Sequence, residues 1–298
     1  MKPLVYAWPG HEHLTEFLAR QLPAEVGELS VRHFPDGESH VRLHSPPAGR
    51  KVIFACGLER PDQKCTPLYF AAKTARELGA ASIGLVAPYL PYMRQDARFH
   101  EGEAVTSRLF AGLISGAFDW LATIDPHLHR HATLDEIYTI PTVVASAAGE
   151  IAKWIISQVR EPLVIGPDAE SVQWVGAVAK AADCPHIVLR KVRHGDRDVE
   201  IFVPDVAAFA GRTPVIVDDI ISTAHTMSAA ALQLRAAGMA APVCIGVHAL
   251  FCGDAMRSLH DAGITRIVTC NTVAHSTNAI DVWPLMVDAA RTLLAREE

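Results

Sequence analysis

Val215, Ile216, Val217, Asp218, Asp219, Ile220, Ile221, Ser222, Thr223, Ala224, His225, Thr226 and Met227 read as a strand that runs through a loop into a helix. The opening β-branched run suits a buried parallel strand, and the alanine-rich stretch Thr226 to Ala237 has helical spacing. A strand that enters a helix through small and hydroxylated residues aims free backbone N–H groups at one point, where the helix dipole also favours an anion. Ser222, Thr223 and Thr226 add hydroxyl donors. The carboxylates of Asp218 and Asp219 would repel that anion unless they serve sugar hydroxyls or a magnesium ion. A phosphorylated sugar satisfies both sets of groups. The plainer alternative is that Ser222 or Thr223 only caps a helix after an acidic loop. The segment is not a Walker loop, because the Gly-Lys-Ser/Thr ending is missing.

Outward from this loop, short apolar runs at Lys51–Ala55, Ser82–Ala87, Leu163–Ile165, Val215–Val217, Val243–Val247 and Arg266–Thr269 suit buried parallel strands, and helical stretches alternate with them. Leu68 to Leu78 is a second alanine-rich amphipathic stretch, and Gly79 and Gly238 stand where C-terminal caps are expected. Ala48, Gly49, Arg50 precede one strand and Ala210, Gly211, Arg212 another, while Gly84 and Gly246 are separated by the same interval. With the order strand, helix, glycine, strand shared by both copies, the chain reads as α/β in two homologous halves. The expected ranges are residues 1–141, which residues 284–298 could complete, and residues 142–283.

Composition narrows the ligands. A chain of 298 residues, half of them hydrophobic and 20% charged, can bury cores in two units and is not disordered. A net charge of −6 offers no footprint for nucleic acid and leaves small anionic ligands as the better match. No basic start followed by an apolar core opens the chain, and no apolar run approaches the roughly 20 residues of a membrane span, so a cytoplasmic protein is expected. Six cysteines are scattered without the paired spacings of zinc sites and read as mostly buried thiols.

The loop from Asp218 to Thr226 resembles the phosphoribosyl-binding loop of type I phosphoribosyltransferase folds, and specifically that of the ribose-phosphate pyrophosphokinases, or phosphoribosyl pyrophosphate synthetases. Asp-Asp-Ile-Ile-Ser-Thr followed by Thr-Met looks like the short archaeal-type members more than the longer bacterial ones. The resemblance implies two homologous phosphoribosyltransferase-like domains, with Asp218, Asp219, Ser222, Thr223, Ala224, His225 and Thr226 around ribose 5-phosphate. His225 departs from the pattern, which usually has glycine there. A glycine-like backbone at His225 would cost on the order of 1 to 2 kcal/mol, which an imidazole N–H donated to the 5-phosphate could offset.

Five further segments continue the resemblance. Phe34, Pro35, Asp36, Gly37, Glu38 alone would be an acidic β-turn; the match implies Phe34 stacked on adenine with Asp36 and Glu38 reading its edge, typically from a neighbouring subunit. The segment Pro88 to Phe99 follows a strand's carboxyl end, where Arg94 suits triphosphate oxygens and Gln95 a base. It matches the Arg-Gln-Asp loop of the ATP site with Arg94, Gln95 and Asp96, and Gly102, Glu103, Thr106 and Ser107 extend the match, but Ala97 replaces a common basic residue. In Asp125 to His131 the alternating histidines alone would also fit a metal-dependent hydrolase. The match implies His127 beside a magnesium-bound triphosphate, with His129 and His131 as surface residues. Asp168, after Gly166 and Pro167, matches a magnesium-binding turn and would otherwise be a helix cap. Lys191 and Arg193 fall on the two basic positions of a mobile catalytic loop, with a strand expected from Val199.

Together these imply an enzyme that passes pyrophosphate from MgATP to ribose 5-phosphate, with magnesium as cofactor and at least a homodimer as assembly. An ordinary phosphoribosyltransferase would share the sugar-phosphate loop without needing Phe34 and Arg94. A non-catalytic or weakly active regulatory homologue would bind nucleotide without needing Lys191 and Arg193.

Overall fold

A computed structural model of the chain describes residues 1–193, 199–204 and 206–297, and only the backbone for residue 173, residues 191–193 and residues 199–202. The chain divides into two compact units, Met1–Ala145 with Trp283–Glu298, and Ser146–Val282. The division falls just beyond Pro141 because Thr142–Ala145 pairs in parallel with Trp120–Ile124 as the last strand of the first sheet. Among the described residues no helix is long and apolar enough to cross a membrane.

In the first unit a six-stranded sheet runs in the order Glu25–Gly27, Leu4–Ala7, Lys51–Ala55, Ser82–Ala87, Trp120–Ile124, Thr142–Ala145. In the second the order is His186–Val188, Pro162–Gly166, Thr213–Ile221, Val243–Ala249, Arg266–Cys270, Asn278–Ile280. Every pairing in both sheets is parallel. Each unit also interposes an antiparallel hairpin before its third sheet strand in sequence: Leu29–His33 with Ser39–Leu43, and Arg190–Arg193 with Val199–Phe202. The repeat expected from a few glycines is therefore a repeat of the whole connectivity.

Strands buried on both faces need uninterrupted apolar sequence, and Trp120–Ile124 and Val243–Ala249 are buried at every position. Their side chains meet helices: Phe54, Leu85 and Leu121 share a core with Ala71 and Phe110, and in the second unit Ile216 and Cys244 share one with Leu234 and Leu259. Helices Pro61–Glu77 and His225–Ala236 end alike. Gly79 and Gly238 take φ of +86 and +82, their amides bond to the carbonyls of Arg76 and Arg235, and the next amides reach back to Ala75 and Leu234. This is the left-handed cap for which glycine has no steric cost.

Both helices also begin alike, behind a left-handed residue, Arg60 (φ 53) in one unit and Ala224 (φ 60) in the other. The last helix, Trp283–Ala295, belongs to the first unit, where Trp283 packs on Phe17 and the Lys51 ammonium donates to the carbonyl of Leu294 at 3.0 Å. Of the six cysteines Cys56, Cys244 and Cys270 are buried, whereas Cys252 is exposed.

Candidate functional site

Each sheet changes direction between its first and third strands in sequence, and in open α/β sheets ligands collect outside the carboxyl ends of the strands at such a switch point. In the second unit those strands are Pro162–Gly166 and Thr213–Ile221. The first is followed by Asp168, and the second carries Asp218 and Asp219 near its end. Three carboxyl groups are thus gathered from well-separated parts of the chain. Burial, then the charges of Asp219 and Asp168, hold the Asp218 carboxyl well above the usual carboxylate range. Asp168 is itself fixed: its side chain accepts from the amide of Glu170 at 3.1 Å, and its carbonyl accepts from the Ser171 hydroxyl at 2.6 Å.

The strand expected to end at Val217 continues to Ile221, because Ile220 and Ile221 pair with His248 and Ala249. The two acids are consequently strand residues, and the loop shrinks to Ser222, Thr223 and Ala224. The carbonyl of Ile221 accepts from the amides of Leu250 and Phe251, and that of Ser222 from Cys252. These bonds engage the loop's carbonyls, while the first amides of helix His225–Ala236 have no intrahelical partner and remain for an anion. The glycine-like conformation expected at His225 lies one residue earlier, at Ala224, and His225 opens the helix as an exposed residue. Any backbone strain in the loop is Ala224's. Thr223 is exposed, and Ser222 and Thr226 are half-buried.

At the switch point of the first unit the corresponding place is filled by protein. Lys64, from the first turns of helix Pro61–Glu77, donates to the carbonyl of Gly57 at 2.7 Å and to the Glu59 carboxylate at 2.5 Å. His11 stands 3.6 Å from the same carboxylate. Burial pushes the Glu59 carboxyl up, but bonds from His11 and Lys64 outweigh it and hold the group below the ordinary range. Sequence reading missed this cluster, since nothing in Lys64 alone tells that it turns back into the loop.

The nucleotide-type residues of the first unit lie on three segments. Phe34 to Glu38 form the turn of the first hairpin, closed by bonds from Gly37 N to Phe34 O and from Phe34 N to Glu38 O, at 2.9 and 2.8 Å. Phe34 is 40% exposed; the Arg32 guanidinium lies 5.0 Å over its ring and His40 meets it edge-on. Asp36 accepts from the amide of Glu38, and Glu38 lines a cavity of about 840 Å³ between this turn and helix Pro61–Glu77.

The second segment follows strand Ser82–Ala87. Tyr92 adopts a left-handed φ of 63 and its hydroxyl donates to Asp62; the Thr106 hydroxyl bonds to Gln95 Oε1 at 3.2 Å. Arg94 is exposed, whereas Asp96 is buried and receives a bond from Arg130 at 2.6 Å. Arg130 belongs to the third segment, after strand Trp120–Ile124, along with half-buried His127 and exposed His129, whose rings meet at 3.9 Å. His131, expected at the surface, is 8% exposed because its ring bonds to Glu136 at 3.0 Å. Lys191 and Arg193 are strand residues of the second hairpin, paired with Ile201 and Val199. Their side chains, and residues 194–198 that would complete the expected mobile loop, lie outside the described residues.

Comparison with known proteins agrees with this architecture. A family model described as the N-terminal domain of ribose phosphate pyrophosphokinase matches residues 4–117, and one for the phosphoribosyl transferase domain matches residues 133–289. The ribose-phosphate pyrophosphokinase of Methanopyrus kandleri is 33% identical over 278 residues, 93% of this chain and 94% of that protein. That of Sulfolobus acidocaldarius is 30% identical over 285 residues, 94% of this chain and 96% of that protein. Among solved structures, phosphoribosylpyrophosphate synthetase from Mycobacterium smegmatis matches with a TM-score of 0.85 at 22% identity, covering 99% of this chain and 100% of that chain, a likeness of fold.

Proposed function

The chain belongs to the ribose-phosphate pyrophosphokinase family, and we propose that it transfers the pyrophosphoryl group of MgATP to the anomeric hydroxyl of ribose 5-phosphate, giving phosphoribosyl pyrophosphate and AMP. The observation that carries this reading is the set of Asp168, Asp218 and Asp219 at the second unit's switch point, beside a helix start whose amides are free for an anion. Acids next to an anion loop suit a ligand with hydroxyls at one end and phosphate at the other.

In this mechanism Ser222, Thr223 and Thr226 donate their hydroxyls to the 5-phosphate, with the amides of Ala224 and His225, and Asp218 and Asp219 accept from the ribose hydroxyls. Phe34 stacks on adenine, Asp36 and Glu38 read its edge, and Arg94, Gln95 and His127 hold the rest of the nucleotide. The anomeric oxygen attacks the β-phosphorus and the bond from that phosphorus to the α-phosphate oxygen breaks, so pyrophosphate moves as a unit and AMP leaves. Such a transfer needs alignment and neutralised charge more than covalent help. Lys191 and Arg193 supply cations to the oxygens that gain charge.

Magnesium fits the donor set, because Asp168, Asp218 and Asp219 offer hard carboxylate oxygens whose crowding a divalent cation relieves. Bound there, it would screen the negative charge of the substrate oxygens. We propose further that the enzyme works in the cytoplasm as a homo-oligomer, at least a dimer.

The test is incubation of the purified chain with ribose 5-phosphate and MgATP, scoring AMP and phosphoribosyl pyrophosphate. Equimolar appearance of both is expected. An ordinary phosphoribosyltransferase would form neither from these substrates, and a regulatory homologue would bind ATP without turnover.

A further inference from the structure

Asp96 and Arg130 form an asymmetric pair. The carboxylate is closed off from solvent, with its side chain 2% exposed, while the guanidinium that donates to it at 2.6 Å is 54% exposed. The second carboxylate oxygen, Oδ2, is buried and has no hydrogen-bond partner, so Arg130 is the one donor that reaches this group through a side chain among the described contacts. A buried carboxylate held on one side only is costly and needs a cation kept in place. The face of Phe99, 5.2 Å from the guanidinium carbon, restricts Arg130 further.

A guanidinium carries five N–H donors in a rigid fork, and Asp96 engages one side of it. What remains is an oriented cation at the carboxyl edge of the first sheet, on the loop that also carries His127 and tied to the loop that carries exposed Arg94. Two neighbouring charges are committed elsewhere: Glu103 accepts from the amides of Phe99 and His100, and Arg98 donates to the Glu103 carbonyl. Ala97, beside Asp96, brings no charge of its own.

We propose that Arg130 is a triphosphate contact of the nucleotide site and that Asp96 acts through it, as a positioning residue that does not touch the nucleotide. The proposal rests on the nucleotide reading given above and adds to Arg94 and His127 a further residue that discriminates a triphosphate from a monophosphate. Because Arg130 meets phosphate oxygens beyond the first, its removal weakens ATP and leaves AMP alone.

The experiment measures equilibrium binding of ATP with magnesium, and of AMP, to the full chain and to Arg130→Ala, Arg130→Lys and Asp96→Asn. Loss of a charge-assisted contact predicts about ten- to a hundredfold weaker ATP binding by Arg130→Ala, with AMP binding changed less than about twofold. Arg130→Lys restores part of the loss, Asp96→Asn shows a smaller loss of the same kind, and added guanidinium ion recovers part of the Arg130→Ala defect. Equal weakening of ATP and AMP, or unchanged ATP binding, overturns this proposal while the functional reading stands. A parent chain that binds no adenine nucleotide overturns both. Unfolding midpoints of the variants guard against a mere folding defect, and if Arg130→Ala fails to fold, the contrast of ATP with AMP in Arg130→Lys decides.

Discussion

The indole of Trp120 lies on the backbone of Gly84, its partner on the neighbouring strand: a Cβ added at residue 84 would stand 2.0 Å from Cζ2 of the ring. The ring is almost fully buried and the contact is with backbone, so neither side can step aside. Gly84→Ala should therefore destabilise the first unit by about 3 kcal/mol, the upper range for overpacking. Urea unfolding measures it, and a change below about 1 kcal/mol would contradict the contact. Adding Trp120→Leu should make the alanine far less costly than it is alone.

Ala224 holds a left-handed conformation that an L-residue with a Cβ adopts at a cost of about 1 kcal/mol or more. Ala224→Gly should raise the stability of the second unit by up to about 1 kcal/mol, because relief of the strain is offset in part by about 0.4 to 1 kcal/mol for added freedom in the unfolded chain. Ala224→Val should do the opposite and also raise KM for ribose 5-phosphate, since a branched residue resists the turn. A glycine variant that is less stable than the parent would move the strain elsewhere, with His225 the next place to look.

Charge neutralisation by Lys191 belongs to the transition state in the proposed mechanism. Lys191→Ala should lower kcat by roughly a thousandfold, about 4 kcal/mol, while ATP binding stays nearly intact. Arg193→Ala should act in the same sense and more weakly, because the two cations work together. Steady-state kinetics alongside direct ATP titration separates the two quantities. Parallel losses in both would place these residues in ground-state binding.

Phe34 offers one ring face while Arg32 covers the other. Removing a stacked base contact costs about 1 to 3 kcal/mol, so Phe34→Ala should raise KM for ATP at least about fivefold and leave that for ribose 5-phosphate near its parent value. The reverse pattern would take Phe34 out of the nucleotide site.

Glu59 is held below the ordinary carboxylate range by His11 and Lys64 against the opposing effect of burial. Its contribution to stability is therefore complete above the unfolded value of about 4.3 and is lost as pH falls through the lower folded value. The stability gap between the parent and Glu59→Gln should be widest near neutral pH and narrow below about pH 4. Urea midpoints across that interval check the sign, and a gap of constant width would mean that the carboxylate's charge is irrelevant.

The elements legible in advance were those whose environment is uniform. Ser82–Ala87 and Val243–Ala249 are buried along nearly their whole length, and Gly79 and Gly238 sit at positive φ, so composition and spacing carry the structure directly. Thr213–Ile221 was legible only in its apolar part, because Asp218 and Asp219 look like loop residues until the pairing of Ile220 and Ile221 with a neighbour draws them into the strand. The first hairpin escaped notice as a pair because its two short strands are partly exposed, whereas the second was legible as a strand from Val199 after the basic stretch. His131 and Arg130 each owe their position to an acidic partner: Glu136 lies in the short helical turn that follows His131, whereas Asp96 comes from another loop, where no local pattern reveals it. Roles in catalysis came from likeness of motif, and the geometry adds the gathering of Asp168 with Asp218 and Asp219, which spacing alone does not disclose.

The membership of helix Trp283–Ala295 in the first unit sets an order on synthesis. The second unit, Ser146–Val282, is one unbroken stretch and can complete its sheet as soon as it leaves the ribosome. The first unit cannot: its strands Leu4–Ala7 to Thr142–Ala145 emerge early, but the helix that packs against Phe17 and accepts from Lys51 is made after the whole of the second unit. The part translated first thus finishes folding after the part translated second, inverting the usual sequence in which domains fold from the N-terminus onward. Until then the apolar ground meant for Met286, Val287 and Leu293 stays uncovered, and a nascent chain stalled before residue 283 would expose it to chaperones or to aggregation.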